Sequence, residues 1–392
     1  MKDLIRKYAR KLVDQGLVAP PGPLVGGLDA DLVWNRSDPW QPLLAQVVTG
    51  LDISAILFAR PAEPYFSLIN RLVERMPADS PALRPQDNET RTFLHEIPIV
   101  RDPSAANLIH ALKQRKCVIV PEQGIVSYGT VSPEQAYIVY SSVCFSLFVK
   151  AFVDVFDDLR FGRSDPILQD LVMQGRRYYA ACLAKAMDHP QLMEGPFDHR
   201  RDVIEAICEV GRLTVEKRMV DSFFGNISYR RGNTIYISQT TSSLDDLKGC
   251  IDPCAMDDSK CTAITASSEY PAHKSVYRQS DHRAILHGHP RFSVIVSLLC
   301  EDREQCENNG NCHIACPRDR DINGVPILPG ESGTGPGSIA ASLPLPLIRN
   351  RAAIIYGHGV FTTGENDFAG AFQRLLDVER ACFEDYFERI KF

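Results

Sequence analysis

The chain has 392 residues, and 43 Lys and Arg against 49 Asp and Glu leave a formal charge of −6. At 44% hydrophobic and 23% charged, it holds enough apolar material to fold, which excludes a disordered chain. The acidic balance argues against nucleic acid as a partner, and the length suggests two domains or one large one.

In chain order, the opening segment is a predicted amphipathic helix over 3–17, with Leu4, Ile5, Tyr8, Ala9, Leu12 and Val13 on one face. It lacks the apolar core of an export signal. A buried strand is expected at Cys117–Val120, followed by a helix over 134–156. That helix contains the longest uncharged apolar stretch, Ala136 to Val149, which is too short to cross a bilayer. No membrane partner is therefore expected. The polar segments 161–166 and 198–201 bracket a helical stretch. Beyond it come a second amphipathic helix (202–220), strands at Thr234–Ser238, Ala284–Gly288 and Ala352–Tyr356, and a closing helix (366–388). Mixed strands and helices give an α/β (α+β) three-layer sandwich. Twelve cysteines without an export signal are expected as reduced thiols, and the protein as cytoplasmic. The short acidic stretches Asp154–Asp158 and Asp319–Asp321 are expected on the solvated surface.

Self-comparison reveals a repeat. AILHGHP (284–290) is matched by AILFARP (55–61), so Phe58 and Arg60 stand where His287 and His289 stand later. AIIYGHGVFTTG (353–364) is matched by CVIVPEQGIVSYG (117–129), with Gln123 facing His358. Earlier, Gly22, Pro23 and Val25 align with Gly225, Asn226 and Ser228. Glycines and apolar residues persist in the first copy while His, Asn and Ser positions are lost. The expected division is a degenerate domain without a metal site over 1–160, a helical connection over 161–200 and a complete catalytic domain over 201–392.

In a strand, residues i and i+2 share a face, so His287 and His289 are placed to reach one ion. His358, between two glycines after a buried strand, supplies a third imidazole. Three neutral histidines with an open fourth position form the ligand set of a catalytic zinc. An H-x-H pair is common by itself; the loss of all three histidines from the first copy is what points to a metal. Ser267-Ser268-Glu269 places a carboxylate where it can move a proton beside such an ion, and it also suits a helix start. His273, one helical turn from Tyr277, is assigned to structure. Gly225-Asn226-Ile227-Ser228 and the polar loop from Gln239 to Ser243 offer uncharged donors suited to a phosphate. Cys300, Cys306, Cys312, Cys316 and His313 form a Cys-rich loop, and Cys250, Cys254 and Cys261 form another cluster. Their spacing does not match paired zinc knuckles, so unpaired thiols are expected. Gly333–Ser338 lacks the lysine of a phosphate loop and is expected to lead into a helix near Ile339–Ala341.

The ordered set GNIS, SSE-x3-H, HGH and GHG resembles the class II aldolase/adducin family, the group of L-fuculose-1-phosphate and L-rhamnulose-1-phosphate aldolases. The resemblance covers about residues 202–390 well and residues 1–158 as a partial copy. It implies a central, mainly antiparallel sheet flanked by helices, assembled as a homo-oligomer (dimer or tetramer). By position, it implies one divalent ion, Zn²⁺, on His287, His289 and His358, with Glu269 as acid/base. Gly225, Asn226, Ser228, Thr240, Ser267 and Ser268 would line the phosphate pocket together with Thr241, which stands where the relatives carry glycine. The implied reaction is retro-aldol cleavage of a ketose 1-phosphate, a small phosphorylated sugar, to dihydroxyacetone phosphate and an aldehyde. Other reactions implied for the scaffold are those of a pentulose-phosphate 4-epimerase, a ketose-phosphate dehydratase or a decarboxylase. A non-enzymatic adducin-like assembly role is a reading of a different class.

Overall fold

The computed structural model describes residues 1–220, 224–259, 263–331 and 334–390, and the chain divides into units Met1–Tyr178 and Tyr179–Phe392. The division falls inside the helical stretch between the two sets of strands.

In the first unit, α1 (Lys2–Asp14) buries Ile5, Tyr8, Ala9 and Leu12, while Leu4 and Val13 stay exposed. The strands are β1 (Leu24–Leu28), β2 (Leu32–Trp34), β3 (Ala55–Ala59), the short pair β4 (Ala82–Leu83) and β5 (Ile97–Pro98), β6 (Cys117–Val120) and β7 (Gly124–Gly129). The helices are α2 (Gln41–Leu51), α3 (Tyr65–Glu74), α4 (Asn88–Leu94), α5 (Ala105–Leu112) and α6 (Pro133–Arg160), and α7 (Pro166–Met187) runs across the division. The sheet order is β2-β1-β3-β7-β6, antiparallel throughout.

The helix α6 extends past both ends of the predicted apolar stretch and is long and apolar enough to cross a membrane by length and composition. Within the unit, most of that window is buried against α1, α3, α4 and the sheet. At its C-terminal end the acidic stretch departs from expectation, because Asp158 is buried. Asp158 accepts bonds from Arg75 (2.5 Å) and Arg163 (2.9 Å). Arg71 grips Asp165 with two bonds, at 2.9 and 3.1 Å. A buried carboxylate needs such partners, since an unpaired charge there would be costly.

In the second unit, α8 (Arg200–Glu216) leads to β8 (Asn226–Arg231), β9 (Thr234–Ser238), β10 (Ile251–Ala255) and α9 (Tyr270–Gln279). Next come β11 (Ala284–Gly288) and α10 (Arg291–Leu298), then β12 (Arg320–Ile322), β13 (Val325–Leu328), α11 (Ile339–Ser342) and α12 (Pro344–Asn350). The unit closes with β14 (Ala352–Ile355), β15 (Gly359–Gly364) and α13 (Ala369–Arg389). The sheet order is β10-β9-β8-β11-β15-β14-β13-β12, antiparallel except between β13 and β14. Side chains alternate across β11. Ile285 joins a core with Val276, Tyr277, Ile339, Leu343, Ile355 and Phe361, from α9, α11 and the residue after it, β14 and β15. A Cβ on Gly288 would instead meet Leu375 of α13, so α13 covers the other face. Helix, sheet and helix form the three layers.

The two sheets share one pairing scheme. Phe58 lies opposite Leu24 and Val126, and His287 opposite Asn226 and Phe361. Ala55 faces Gly27 and Gly129, and Ala284 faces Tyr229 and Gly364. Between β6 and β7, and between β14 and β15, equal turns hold a left-handed central residue, Glu122 (φ 61°) and Gly357 (φ 60°). Gln123 and His358 therefore occupy the same turn position. One alignment needs correcting. Leu24, not Pro23, takes the rung of Asn226, and Gly26, not Val25, takes that of Ser228, because pairing register rather than residue similarity sets strand position.

Where the second sheet carries ring nitrogens, the first carries stacked side chains. Trp40 stacks on Phe58 at 4.0 Å, and the Arg60 guanidinium lies 3.8 Å from the centre of Phe66. A Cβ at Gly129 or Gly364 would sit 2.0 Å from a backbone carbonyl, that of Ser132 or Asp367. Alanine at either glycine should therefore lower stability by about 3 kcal/mol, an overpacking cost against unyielding backbone. An unfolding free energy from urea titration within about 0.5 kcal/mol of the parent's, inside the usual range for harmless surface changes, would show that the turn yields.

Candidate active site

Two strands and a turn bring the imidazoles together. His287 is the fourth residue of β11, and His289 follows directly after the strand on the same face. Their Nε2 atoms are 2.9 Å apart. His358, in the turn before β15, completes a group whose ligand atoms all lie within 4.8 Å of one another. Glycine is required around them. A Cβ at Gly359 would lie 2.4 Å from the Gly288 carbonyl and 3.0 Å from both histidine rings of the HGH segment. Gly225, at φ +84°, would drive a Cβ to 2.5 Å from the His287 carbonyl.

His287 Nδ1–H donates to the Val360 carbonyl at 3.0 Å, which leaves the Nε2 lone pair facing the cluster. Its ring stacks on Phe361 at 3.9 Å. Burial, only partly offset by Glu269, pushes the His287 pKa down to about 4. His289 is likewise held well below its ordinary range by burial and then by the other two imidazoles. Both are neutral at pH 7, the form that binds metals.

Glu269, the N-cap of α9, reaches into the same space. Its Oε2 lies 3.4 Å from His287 Nε2 and its Oε1 3.2 Å from His358 Nε2. Burial would raise this carboxyl, but the facing His287 and His358 and the Asn226 amide outweigh it and hold the pKa well below the usual range. The buried carboxylate thus faces the Nε2 atoms of both His287 and His358. This donor set fits a divalent cation, which would supply the missing positive charge.

Behind the carboxylate runs a buried chain of hydrogen bonds. Asn226 Nδ2 donates to Glu269 Oε2 (2.5 Å), so its Oδ1 turns to His273 Nε2 (2.6 Å), which must donate. Burial pushes His273 down to about 3, so the ring is neutral, and its Nδ1 accepts from the Ser228 hydroxyl at 2.6 Å. The Tyr277 hydroxyl closes the chain on Ser228 at 2.8 Å. His273 is therefore structural as expected, and it also sets which face of Asn226 meets the carboxylate.

The sequence of this unit matches the family described as Class II Aldolase and Adducin N-terminal domain over residues 205–384. Among solved structures, the chain is similar to l-fuculose-1-phosphate aldolase from Thermus thermophilus, at 22% identity and TM-score 0.38, over 49% of this chain and 96% of that one. It is also similar to a sugar-phosphate aldolase from Thermotoga maritima (19% identity, TM-score 0.35, 48% of this chain, 95% of that one). A third is the L-fuculose 1-phosphate aldolase from Glaciozyma antarctica (15% identity, TM-score 0.34, 52% of this chain, 80% of that one). No curated protein matches the chain.

In the second unit the residues expected to line a phosphate pocket separate into two groups. Ser228 is fully buried and its hydroxyl is committed to His273 and Tyr277, so the expectation of a phosphate contact there is corrected. The Asn226 amide is occupied at both ends. Thr240 and Thr241 are both exposed, while the Ser267 hydroxyl accepts from the Glu269 backbone N–H at 3.3 Å. Thr241 sits at φ 61°, in the left-handed region that favours glycine. Asp252 was not foreseen. It accepts from Gln239 Nε2 (2.9 Å) and Thr265 Oγ1 (2.6 Å) and so ties the Gln239–Thr241 loop to the segment before Ser267. No motif or spacing marks it among the other acids of the chain.

Cys250, Cys254, Cys300, Cys306, Cys312 and Cys316 form no disulfide, and Cys261 lies outside the described residues. Among the described residues, His287, His289 and His358 are the one group able to hold a metal ion. Gly333 also lies outside the described residues, and the segment after it leads into α11.

The buried histidines set a pH dependence. His287 and His273 resist protonation until about 4 and about 3, whereas in the unfolded chain they protonate near 6.5. The unfolded state then binds more protons, so stability falls as pH drops below about 6.5, by up to about 1.4 kcal/mol per pH unit for each group. Asp87, raised by burial to about 6, acts in the opposite direction between its ordinary 3.8 and that value. Glu379, also raised by burial, acts like Asp87, while His289 and Glu269, both held low, add to the loss at acid pH, so the net effect is destabilising. The thermal midpoint of the metal-free protein should fall between pH 6.5 and 4, and a flat or rising midpoint would contradict this assignment.

Proposed function

We propose that the protein is a metal-dependent lyase of the class II aldolase type that cleaves a ketose 1-phosphate to dihydroxyacetone phosphate and an aldehyde. The observation that carries this reading is the buried Glu269 carboxylate against the His287, His289 and His358 cluster, inside the family-matched segment. The three imidazoles would hold one divalent ion, Zn²⁺ in this proposal. When bound, the ion supplies Lewis acidity, drawing charge from the substrate oxygens as the carbon–carbon bond breaks.

The chain's own residues supply positioning and proton transfer. His287 Nδ1, fixed on Val360, keeps Nε2 free to act as a ligand. Glu269, oriented by Asn226 and through it by His273, would take up the proton that the C4 hydroxyl releases as the aldehyde forms and return it to C3 of the three-carbon fragment after C3–C4 cleavage. Thr240, Thr241, Ser267 and Ser268, with the backbone at Gly225, would bind the phosphate. The first unit, with Phe58, Arg60 and Gln123 at the three ligand positions, would be a degenerate copy in a structural role; its matching registers and turns support this.

The test is metal-loaded protein assayed on a panel of ketose 1-phosphates for release of dihydroxyacetone phosphate. At least one should be cleaved, and Glu269→Gln should lower kcat by about 10²- to 10⁴-fold, the range for losing a general acid/base. His287→Ala should lose bound metal. No cleavage across the panel, or unchanged metal content in that variant, would overturn the assignment.

A further inference from the structure

Outside the cluster, one buried acid has no role in the chemistry above. Glu379 of α13 is fully buried, and its carboxylate accepts four hydrogen bonds. Two come from backbone N–H groups in the first turn of α10, Phe292 (2.7 Å) and Ser293 (2.8 Å). The others come from the Ser293 hydroxyl (2.7 Å) and the Tyr179 hydroxyl (2.6 Å). The N-cap of α10 is Pro290, which has no side-chain acceptor for these groups. Glu379 supplies the cap from another helix, and its charge sits at the favourable end of the α10 dipole.

The helix so held touches the cluster at both ends. It begins two residues after His289, across Pro290. Near its far end, the buried Ser297 hydroxyl donates to the Val294 carbonyl (2.7 Å) and accepts the backbone N–H of Gly357 (2.8 Å), the residue before His358. The first unit gives an independent comparison. Gly129 and Gly364 hold the same rung, opposite Ala55 and Ala284. Counting fifteen residues on from Gly364 reaches Glu379, and fifteen on from Gly129 reaches Cys144, a buried thiol unable to accept four such bonds. The unit without the histidines also lacks the carboxylate.

We propose that Glu379 and Ser297 are positioning residues for the three-histidine centre, with α10 as a strut that fixes the His289 and His358 turns relative to each other. The proposal rests on the metal reading above. Its test is zinc affinity, measured by competition against a chromogenic chelator on metal-free parent, Glu379→Gln and Ser297→Ala. The melting temperature of each metal-free protein is measured alongside. Each variant should bind zinc about 10- to 100-fold more weakly, the range for outer-shell partners of metal ligands. Variants that melt lower when metal-free yet bind zinc as tightly as the parent would overturn the inference and leave only a structural role. If Glu379→Gln does not fold, Ser297→Ala decides alone. A parent that takes up no divalent ion would overturn the metal reading, and this inference with it; equal binding by parent and variants overturns this inference only.

Discussion

The close approach of backbones around His287 and Gly288 is the constraint on which the rest of the second unit depends. Three glycines permit it. Gly225 comes against the His287 carbonyl, Gly359 against the Gly288 carbonyl, and Gly288 against the Met219 carbonyl, each too near for a Cβ. With side chains at those points, β8, β15 and the segment before β8 would be pushed from β11. The imidazoles of the HGH segment and of the β14–β15 turn would then separate. Convergence of the ring nitrogens is therefore a property of backbone packing first and of histidine content second.

Electrostatics follows from that packing. Burial strips His287 and His289 of the water that would stabilise their charged forms, so both sit neutral with lone pairs available. The same burial would raise Glu269, but its neighbours keep it ionised. Negative charge is thus held in a buried space beside three imidazoles, an arrangement that suits a cation. The chain from Tyr277 through Ser228, His273 and Asn226 fixes the carboxylate without adding charge. Every donor in it is matched by an acceptor, as a buried polar network requires.

The first unit shows how little of this the sheet itself demands. The same rungs and the same left-handed turn position form around Phe58 stacked on Trp40 and Arg60 stacked on Phe66. Fold-bearing glycines recur, for example Gly129 with Gly364 and Gly124 with Gly359. The polar residues, from Asn226 to Glu379, have apolar or unrelated side chains at the matching places. Architecture and chemistry are separable layers of one pattern here.

Much of that pattern was legible from residue order alone. Backbone geometry makes i and i+2 share a strand face, so His287 and His289 could be paired before any fold was known. Phe58, Arg60 and Gln123 stand at the matching rungs and turn position of the first sheet. What residue order left open was the choice of distant partners. Ser228 looks like an exposed donor in GNIS, yet it turns inward because His273, 45 positions on, meets it. Asp158 looks like surface, yet Arg75, 83 positions earlier, draws it inside. The one-residue misplacement of Pro23 against Asn226 has the same origin, since strand register is decided across the sheet. Local periodicity and turn chemistry are written along the chain, so the sequence determined the strands, the histidine pair and the acid beside them. Which polar groups face a ligand and which satisfy one another depends on burial and long-range contact, and only the tertiary structure decided that.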